Sequence, residues 1–168
     1  MDFDWNKIGT GPKFNALVSA LLRQDDHKAR IFNRDGKDGA IDALSGDGKT
    51  VFQSKYHHGG SSSLAFADAK KELAKIEKYR TTGDKWYDTW HPVEHWCLVT
   101  NVPFGTQDEQ RWKDEVEPEF AKLGLTASYK TSADLQLRLI RHRDIADAFF
   151  GDRRRLFVSL AEHREALV

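Results

Sequence analysis

The sequence contains very little cysteine and no excess charge of either sign. Its 168 residues include a single cysteine, Cys97, and 26 basic and 26 acidic side chains. A single cysteine excludes a disulfide framework within the chain, and its apolar neighbours Trp96 and Leu98 indicate a small buried side chain. A formal net charge of zero excludes the general attraction that strongly basic proteins have for nucleic acids. Any nucleic-acid site must therefore come from a local concentration of charge.

Long hydrophobic runs are also missing. No apolar run approaches the length of a membrane span, and the first residues lack the apolar segment of a signal peptide. We therefore expect no membrane partner and a cytoplasmic location. The 39% of hydrophobic and 31% of charged residues are ordinary for a globular domain with a real core.

Hydrophobic periodicity predicts alternating helices and strands. The predicted elements are a helix from Pro12 to about Arg23; strands over 29–33, 39–45 and 50–56; a helix over 64–80 with Phe66, Ala69, Leu73 and Ile76 on its apolar face; a buried strand over 93–100; a helix over 107–123 interrupted at Pro118; a strand over 125–129; and helices over 132–141, capped by Ser132, and 144–150. This order predicts an α/β fold with an αβββαβ core, in which a mixed sheet is flanked by helices. We predict one domain over residues 1–150 and a C-terminal extension over 151–168.

The second and third strands form a predicted hairpin. Asp47-Gly48 is a strong signal for a tight turn, because both residues tolerate positive φ. Counting outward from this turn places Asp42 directly opposite Gln53. Opposite residues share a face with side chains about 5 Å apart, and strand alternation places Lys55 on that face too. The register therefore predicts that an acid, an amide and an amine converge.

This combination of side chains suits the hydrolysis of a phosphodiester with the help of a divalent cation. Mg²⁺ or Mn²⁺ would polarise a phosphoryl oxygen and lower the pKa of a bound water, and Mg²⁺ prefers oxygen ligands. Asp42 supplies a carboxylate, Gln53 a side-chain carbonyl and Ser54 a backbone carbonyl. Lys55 would place a positive charge beside the attacked phosphate and orient the attacking water, or act as a base if its surroundings lower its pKa.

The same residues resemble the active site of a known nuclease family. Asp42 followed by Gln53-Ser54-Lys55 resembles the D…QxK site of Mrr-type restriction endonuclease-like proteins, which belong to the PD-(D/E)XK superfamily. The segment Asp38-Gly39-Ala40-Ile41-Asp42 is similar to their DGGID segment, with Ala40 in place of the second glycine. Phe52-Gln53-Ser54-Lys55-Tyr56 is similar to their VQxKx strand. The similarity extends from the opening helix to Val99-Thr100-Asn101 and includes the αβββαβ order.

The resemblance implies a Mg²⁺-dependent endonuclease that acts on double-stranded DNA. It implies that Asp42 is the metal-binding acid, Gln53 the replacement for the usual second acid, and Lys55 the catalytic lysine. The sequence departs from the family in the opening helix, where Asn15 stands in place of a glutamate that many relatives carry. Asn15 and Asp38 are therefore candidates for a supporting role near the cation.

Further partners follow from position and from the resemblance. Lys37, Tyr56 and His57 lie next to the predicted site and are candidate nucleic-acid contacts. The chain has no recognisable sequence-reading module, so we expect specificity to come from another domain or partner. Domains of this kind are often effectors of bacterial anti-phage or restriction proteins, joined to an NTPase or sensor region. We expect such a parent protein, and a homo-oligomer that positions two sites on one duplex.

Two other functions stay open at this point. A catalytically degenerate nuclease fold would bind nucleic acid or mediate assembly without cutting. A protein-interaction module would use the aromatic segment Trp86–Trp90 as a docking surface, although packing against the domain is the favoured interpretation of these side chains. RNA is not excluded as a substrate.

Overall fold

The computed structural model describes residues 3–32 and 39–151 of the chain. The elements in order are a short 3-10 helix Trp5–Lys7, α1 Gly11–Asp25, β1 Arg30–Ile31, β2 Ala43–Leu44, β3 Thr50–Lys55, α2 Ser62–Tyr79, α3 Tyr87–Trp90, β4 His95–Thr100, α4 Thr106–Glu115, α5 Glu117–Ala121, β5 Thr126–Lys130, α6 Ser132–Arg141 and α7 Arg143–Phe150. The predictions made for Lys37, Asp38 and the segment 152–168 lie outside the described residues.

The strands of the described residues form one mixed sheet, in the order β1-β2-β3-β4-β5. β2 pairs antiparallel with β1 and β3, whereas β4 pairs parallel with β3 and β5. Parallel strands need a crossover connection between them. The connection from β3 to β4 contains α2, and the connection from β4 to β5 contains α4 and α5. The predicted α/β class, mixed sheet and αβββαβ order are confirmed.

The register of the hairpin is the predicted one, with Leu44 opposite Val51. Asp47 stabilises the connecting loop, because its carboxylate accepts hydrogen bonds from Ser45 Oγ at 2.6 Å and from the backbone N–H of Lys49 at 3.0 Å. These contacts are local in the sequence, and they set which residues of β2 and β3 face each other.

The strand before the hairpin loop is shorter than predicted. Gly39 and Ala40 have φ values of 62° and 60°, in the left-handed region that an extended strand does not use. The indole N–H of Trp90 donates a hydrogen bond to the backbone carbonyl of Gly39 at 2.7 Å. The segment therefore turns toward α3, and the predicted strand 39–45 is reduced to Ala43–Leu44.

Gly39→Ala tests how closely this turn packs. A Cβ at position 39 would lie 2.6 Å from the ring of Trp86 and would require φ near 62°. We expect the variant to lose about 2–4 kcal/mol of unfolding free energy, because backbone strain and overpacking each cost about 1–3 kcal/mol. Gly48→Ala is the matched control, since Gly48 has φ of 75° with no atom within 4 Å of the added Cβ. Urea unfolding measures both variants, and equal losses would contradict the packing argument.

The core has two parts that together receive alternate residues of the central strand β4. Trp96 and Leu98 belong to the first cluster, which includes residues of α2, α4 and α5. Cys97 and Val99 belong to the second cluster, which includes residues of α1, α6 and α7. The buried position predicted for Cys97 is confirmed. β4 is covered on both faces, and β3, the middle strand of the sheet, pairs with it over the whole length Thr50–Lys55.

Local side chains set the boundaries of two helices in the second half of the chain. The predicted interruption at Pro118 is confirmed, since α4 ends at Glu115 and α5 begins at Glu117. The predicted cap Ser132 is wrong by one residue, because Thr131 is the N-cap and its backbone N–H donates to the carboxylate of Asp134 at 2.9 Å. No helix within residues 3–32 and 39–151 has an apolar stretch long enough to cross a membrane.

Candidate functional site

Asp42 lies directly before β2 and contacts Ser54 of the neighbouring strand β3. Its Oδ2 accepts a hydrogen bond from the backbone N–H of Ser54 at 2.8 Å and lies 3.4 Å from Ser54 Oγ. The backbone N–H of Asp42 donates to the carbonyl of Phe52 at 3.2 Å, although Phe52 is already the partner of Ala43. The ladder is therefore one residue out of step at this point, and Asp42 is not paired directly opposite Gln53 as predicted. The carboxylate is therefore held by both its own backbone and its neighbour on β3.

The surroundings of Asp42 disfavour its charged form. Desolvation by burial raises the pKa of this carboxyl above its ordinary value, and the negative charge of Glu72 raises it further. The hydrogen bond from the Ser54 N–H and the ammonium of Lys55 act in the opposite direction without cancelling the effect of burial. Buried carboxylates in proteins are typically paired with cations or coordinate metals, so this environment favours a positively charged ligand.

Lys55, at the end of β3, is paired with a buried glutamate of α2. Its Nζ lies 3.2 Å from Glu72 Oε1, and the two side chains are 31% and 2% exposed. Lys75 approaches the same oxygen at 3.4 Å from a more exposed position. The pair connects the end of β3 to the crossover helix α2 and fixes the position of the Lys55 ammonium.

Sequence reasoning missed Glu72, although the helix carried a signal for it. Phe66, Ala69 and Ile76 are buried on α2, and Glu72 occupies the same buried stripe. Leu73, which was assigned to the apolar face, is only partly buried. The signal in the sequence is an acidic residue within the apolar face of a crossover helix, because a buried carboxylate needs a partner.

Gln53 is a buried residue of β3 that contacts Trp96 of the neighbouring strand β4. Its residue is 5% exposed, and Oε1 accepts a hydrogen bond from the indole N–H of Trp96 at 3.2 Å. An indole nitrogen only donates, so the amide oxygen must face it, and an amide oxygen has two lone pairs. The contact with Trp96 uses one of them. The predicted role of Gln53 as a metal ligand therefore depends on the second lone pair.

Asn15 reaches the site through Ser54. Its Oδ1 accepts a hydrogen bond from Ser54 Oγ at 3.0 Å, and Ser54 in turn donates its backbone N–H to Asp42. The structure thus brings Asn15, Ser54 and Asp42 together, and α1 contacts the hairpin on this side. A role for Asn15 near a cation stays a prediction. The other predicted supporting residue, Asp38, lies outside the described residues.

The candidate nucleic-acid contacts Tyr56 and His57 are engaged with the protein itself. The hydroxyl of Tyr56 donates to the carbonyl of Trp5 at 3.0 Å. His57 Nε2 lies 2.6 Å from the carboxylate of Asp68, and its backbone N–H donates to Asn101 Oδ1 at 2.8 Å. These contacts attach the connection after β3 to its surroundings. A role in nucleic-acid binding stays a prediction for both residues.

The aromatic segment Trp86–Trp90 packs largely into the protein. Trp90 has no exposed surface and donates its indole N–H to Gly39. Trp86 packs against the first core cluster as a partly buried side chain. Because a residue without exposed surface cannot contact a partner, Trp90 is excluded from the docking surface considered above.

Within the described ranges, no three or more His, Cys, Asp or Glu side chains form a group that could hold a metal ion. No family model and no curated protein matches this chain.

Proposed function

We propose that this protein is a metal-dependent endonuclease that hydrolyses phosphodiester bonds of double-stranded DNA, with Asp42 and Lys55 at the centre of its site. The observation that supports the proposal is a largely buried carboxylate directly before β2 that is held by the N–H of Ser54, the residue before Lys55 on β3. The Lys55 ammonium acts on the pKa of Asp42, and the Ser54 N–H holds the carboxylate in place. Perturbed titratable groups with a specific charged neighbour are typical of functional sites.

The donor set fits a hard divalent cation. Asp42 provides a partly desolvated carboxylate, Gln53 one remaining amide lone pair and Ser54 a backbone carbonyl. Mg²⁺ commonly takes one or two carboxylates, and water and substrate oxygens complete its shell. Mg²⁺ or Mn²⁺, when bound, would polarise the phosphoryl oxygen and lower the pKa of a coordinated water.

The residues of the chain itself then orient the substrate and offset its charge. Lys55 places its ammonium beside the scissile phosphate, where it offsets the negative charge that grows in the transition state. Glu72 limits the movement of that ammonium through the 3.2 Å contact. Asp42 keeps its position through Ser54, so little reorganisation is needed when DNA binds.

The net charge of the chain bears on how it would bind DNA. A chain with zero formal net charge has weak general attraction for DNA, so we propose that a homo-oligomer presents two sites to one duplex. We also propose a cytoplasmic effector role in bacterial anti-phage defence or restriction, with an NTPase or sensor partner that controls access to DNA. The resemblance of the D…QxK residues supports this part.

Cleavage of supercoiled plasmid tests the proposal. We expect nicking or linearisation with Mg²⁺ or Mn²⁺ and none with EDTA. Lys55→Met should lower the rate by about 100-fold or more, as expected for removal of a group that stabilises transition-state charge. Lys75→Met is the matched control, because Lys75 contacts the same Glu72 oxygen from a position that is 55% exposed. Its rate should stay within about threefold, since exposed ion pairs contribute little. Equal losses in both variants, or cutting in EDTA, would contradict the assignment.

A second candidate is a nuclease fold that binds DNA without cutting it. The burial of Gln53 and its hydrogen bond to Trp96 favour this alternative, because the oxygen that was predicted to bind the metal already accepts a hydrogen bond within the protein. Fluorescence anisotropy with a labelled duplex, read beside the plasmid assay, separates the two. Binding that persists in Mg²⁺ and Mn²⁺ without any product would support this candidate over the nuclease.

A further inference from the structure

Glu72 is bonded to the protein through only half of its carboxylate. Within residues 3–32 and 39–151 it is the only acidic residue that is almost completely buried, with 1% of its surface exposed. Both lysine ammoniums contact Oε1, at 3.2 Å and 3.4 Å. Oε2 is buried and has no hydrogen-bond partner among the described residues. A buried anionic oxygen without a donor is unfavourable, so the ion pairs do not account for the whole side chain.

The second observation is that Glu72 is joined to the residues that hold Asp42. Its Oε1 lies 3.2 Å from the Nζ of Lys55, and Ser54, the residue before Lys55, donates its backbone N–H to Asp42 Oδ2 at 2.8 Å. A buried carboxylate oxygen needs a donor or a cation. Lys55 supplies one positive charge, but its contact uses Oε1 of Glu72 and leaves Oε2 without a partner among the described residues.

We propose that Glu72 is the second carboxylate ligand of the cation site, binding through Oε2 while Oε1 holds Lys55. This inference rests on the proposed function for the location of the cation beside Asp42. It adds α2 to the elements that form the site, and it gives each carboxylate oxygen of Glu72 a positively charged partner. Because the two anionic donors are carboxylates, the ligand class is a hard divalent cation such as Mg²⁺ or Mn²⁺.

Titration calorimetry with MnCl₂ tests the proposal without reference to cleavage. Glu72→Gln keeps the size of the side chain and removes its charge, and we expect Mn²⁺ affinity to fall by about tenfold or more, as for loss of a metal-site group. Asp42→Asn should show a similar loss. Glu77→Gln, an exposed position on the same helix, is the control and should bind like the wild type. Wild-type affinity in Glu72→Gln would overturn the inference.

Lys55→Met separates a cation ligand from a mere anchor for the lysine. If Glu72 binds the cation, removing the competing ammonium should leave Mn²⁺ affinity unchanged or increase it. If Glu72 only anchors Lys55, Glu72→Gln and Lys55→Met will share a cleavage defect while both retain wild-type Mn²⁺ affinity, and that result overturns the inference. Circular dichroism checks folding. Should Glu72→Gln fail to fold, Glu72→Asp retains the charge on a shorter side chain and should still weaken Mn²⁺ binding.

The two assays distinguish failure of the proposed nuclease function from failure of the Glu72 proposal. Loss of Mn²⁺ binding in Glu72→Gln, combined with a wild type that never cuts DNA, would keep the cation site and reject the nuclease. Cutting by the wild type, combined with unchanged Mn²⁺ affinity in Glu72→Gln, would keep the nuclease and reject Glu72 as a ligand. A wild type that binds no Mn²⁺ at millimolar concentration, with or without duplex DNA, would overturn the inference.

Discussion

Asp42→Asn is expected to lose plasmid cleavage by about 1,000-fold or more, or about 4 kcal/mol of activation free energy, while its Tm rises by a few degrees. The asparagine oxygen can still accept the hydrogen bond that Ser54 donates at 2.8 Å, so the hairpin keeps its geometry. The variant has no charge with which to hold a cation, and it also has no desolvated charge to destabilise the fold.

The sign of the stability change follows from the pKa of Asp42. Burial raises this pKa in the folded state above its ordinary value of 3.8. The folded protein therefore binds more protons than the unfolded chain between the two pKa values, and stability falls as pH rises through that interval. Above both pKa values the whole penalty is present in the wild type and absent in Asp42→Asn. Below the unfolded pKa the residue is neutral in both states, so the difference in Tm should shrink there.

Calorimetry from pH 3 to pH 7, read beside the plasmid assay, measures both effects. Asp47→Asn is the control, because Asp47 lies in the hairpin loop, where hydrogen bonds from Ser45 and Lys49 lower its pKa. We expect that variant to keep its cleavage rate and to lose stability near neutral pH. Wild-type cutting by Asp42→Asn would remove Asp42 from the site. A lower Tm for that variant at pH 7 would contradict the electrostatic argument.

Trp96→Ala is expected to lose about 3–5 kcal/mol of unfolding free energy, a large part of the total for a domain. Trp96 has no exposed surface and stacks on Phe120, with ring centroids 4.5 Å apart and planes at 15°. The ring of Trp112 lies nearly parallel to it at 6.3 Å. Removing the indole creates a cavity and leaves the oxygen of Gln53 without its donor.

Trp96→Phe separates these two contributions. The phenyl ring keeps most of the stacking, but it cannot donate to Gln53 Oε1, and an unpaired buried acceptor costs about 1–3 kcal/mol. Urea unfolding at 25 °C should therefore rank Trp96→Phe between the wild type and Trp96→Ala. Trp86→Ala, at a half-buried position, is the control and should cost less than Trp96→Ala. Equal losses for the alanine and phenylalanine variants at position 96 would contradict the stacking contribution.

Local sequence was sufficient for the elements that depend on neighbouring residues. The Asp47-Gly48 turn predicted the pairing of Leu44 with Val51, because turn chemistry and strand alternation act over a few residues. The same reasoning placed Asp42 beside the strand of Ser54 and Lys55. It failed over residues 39–42, where positive φ at Gly39 and Ala40 accompanies packing against Trp86 and Trp90, far along the chain.

The hairpin, its register and the αβββαβ order were thus determined by the sequence itself, since hydrophobic periodicity and turn residues specify local backbone structure. Tertiary structure alone decided which partners the polar side chains found. Glu72 meets Lys55, and Gln53 meets Trp96, only because α2 and β4 pack beside β3. The hydrophobic periodicity of a single helix or strand does not predict such contacts, because they join residues on separate elements. Burial between those elements then decides how strongly the charges of Asp42, Lys55 and Glu72 act on one another.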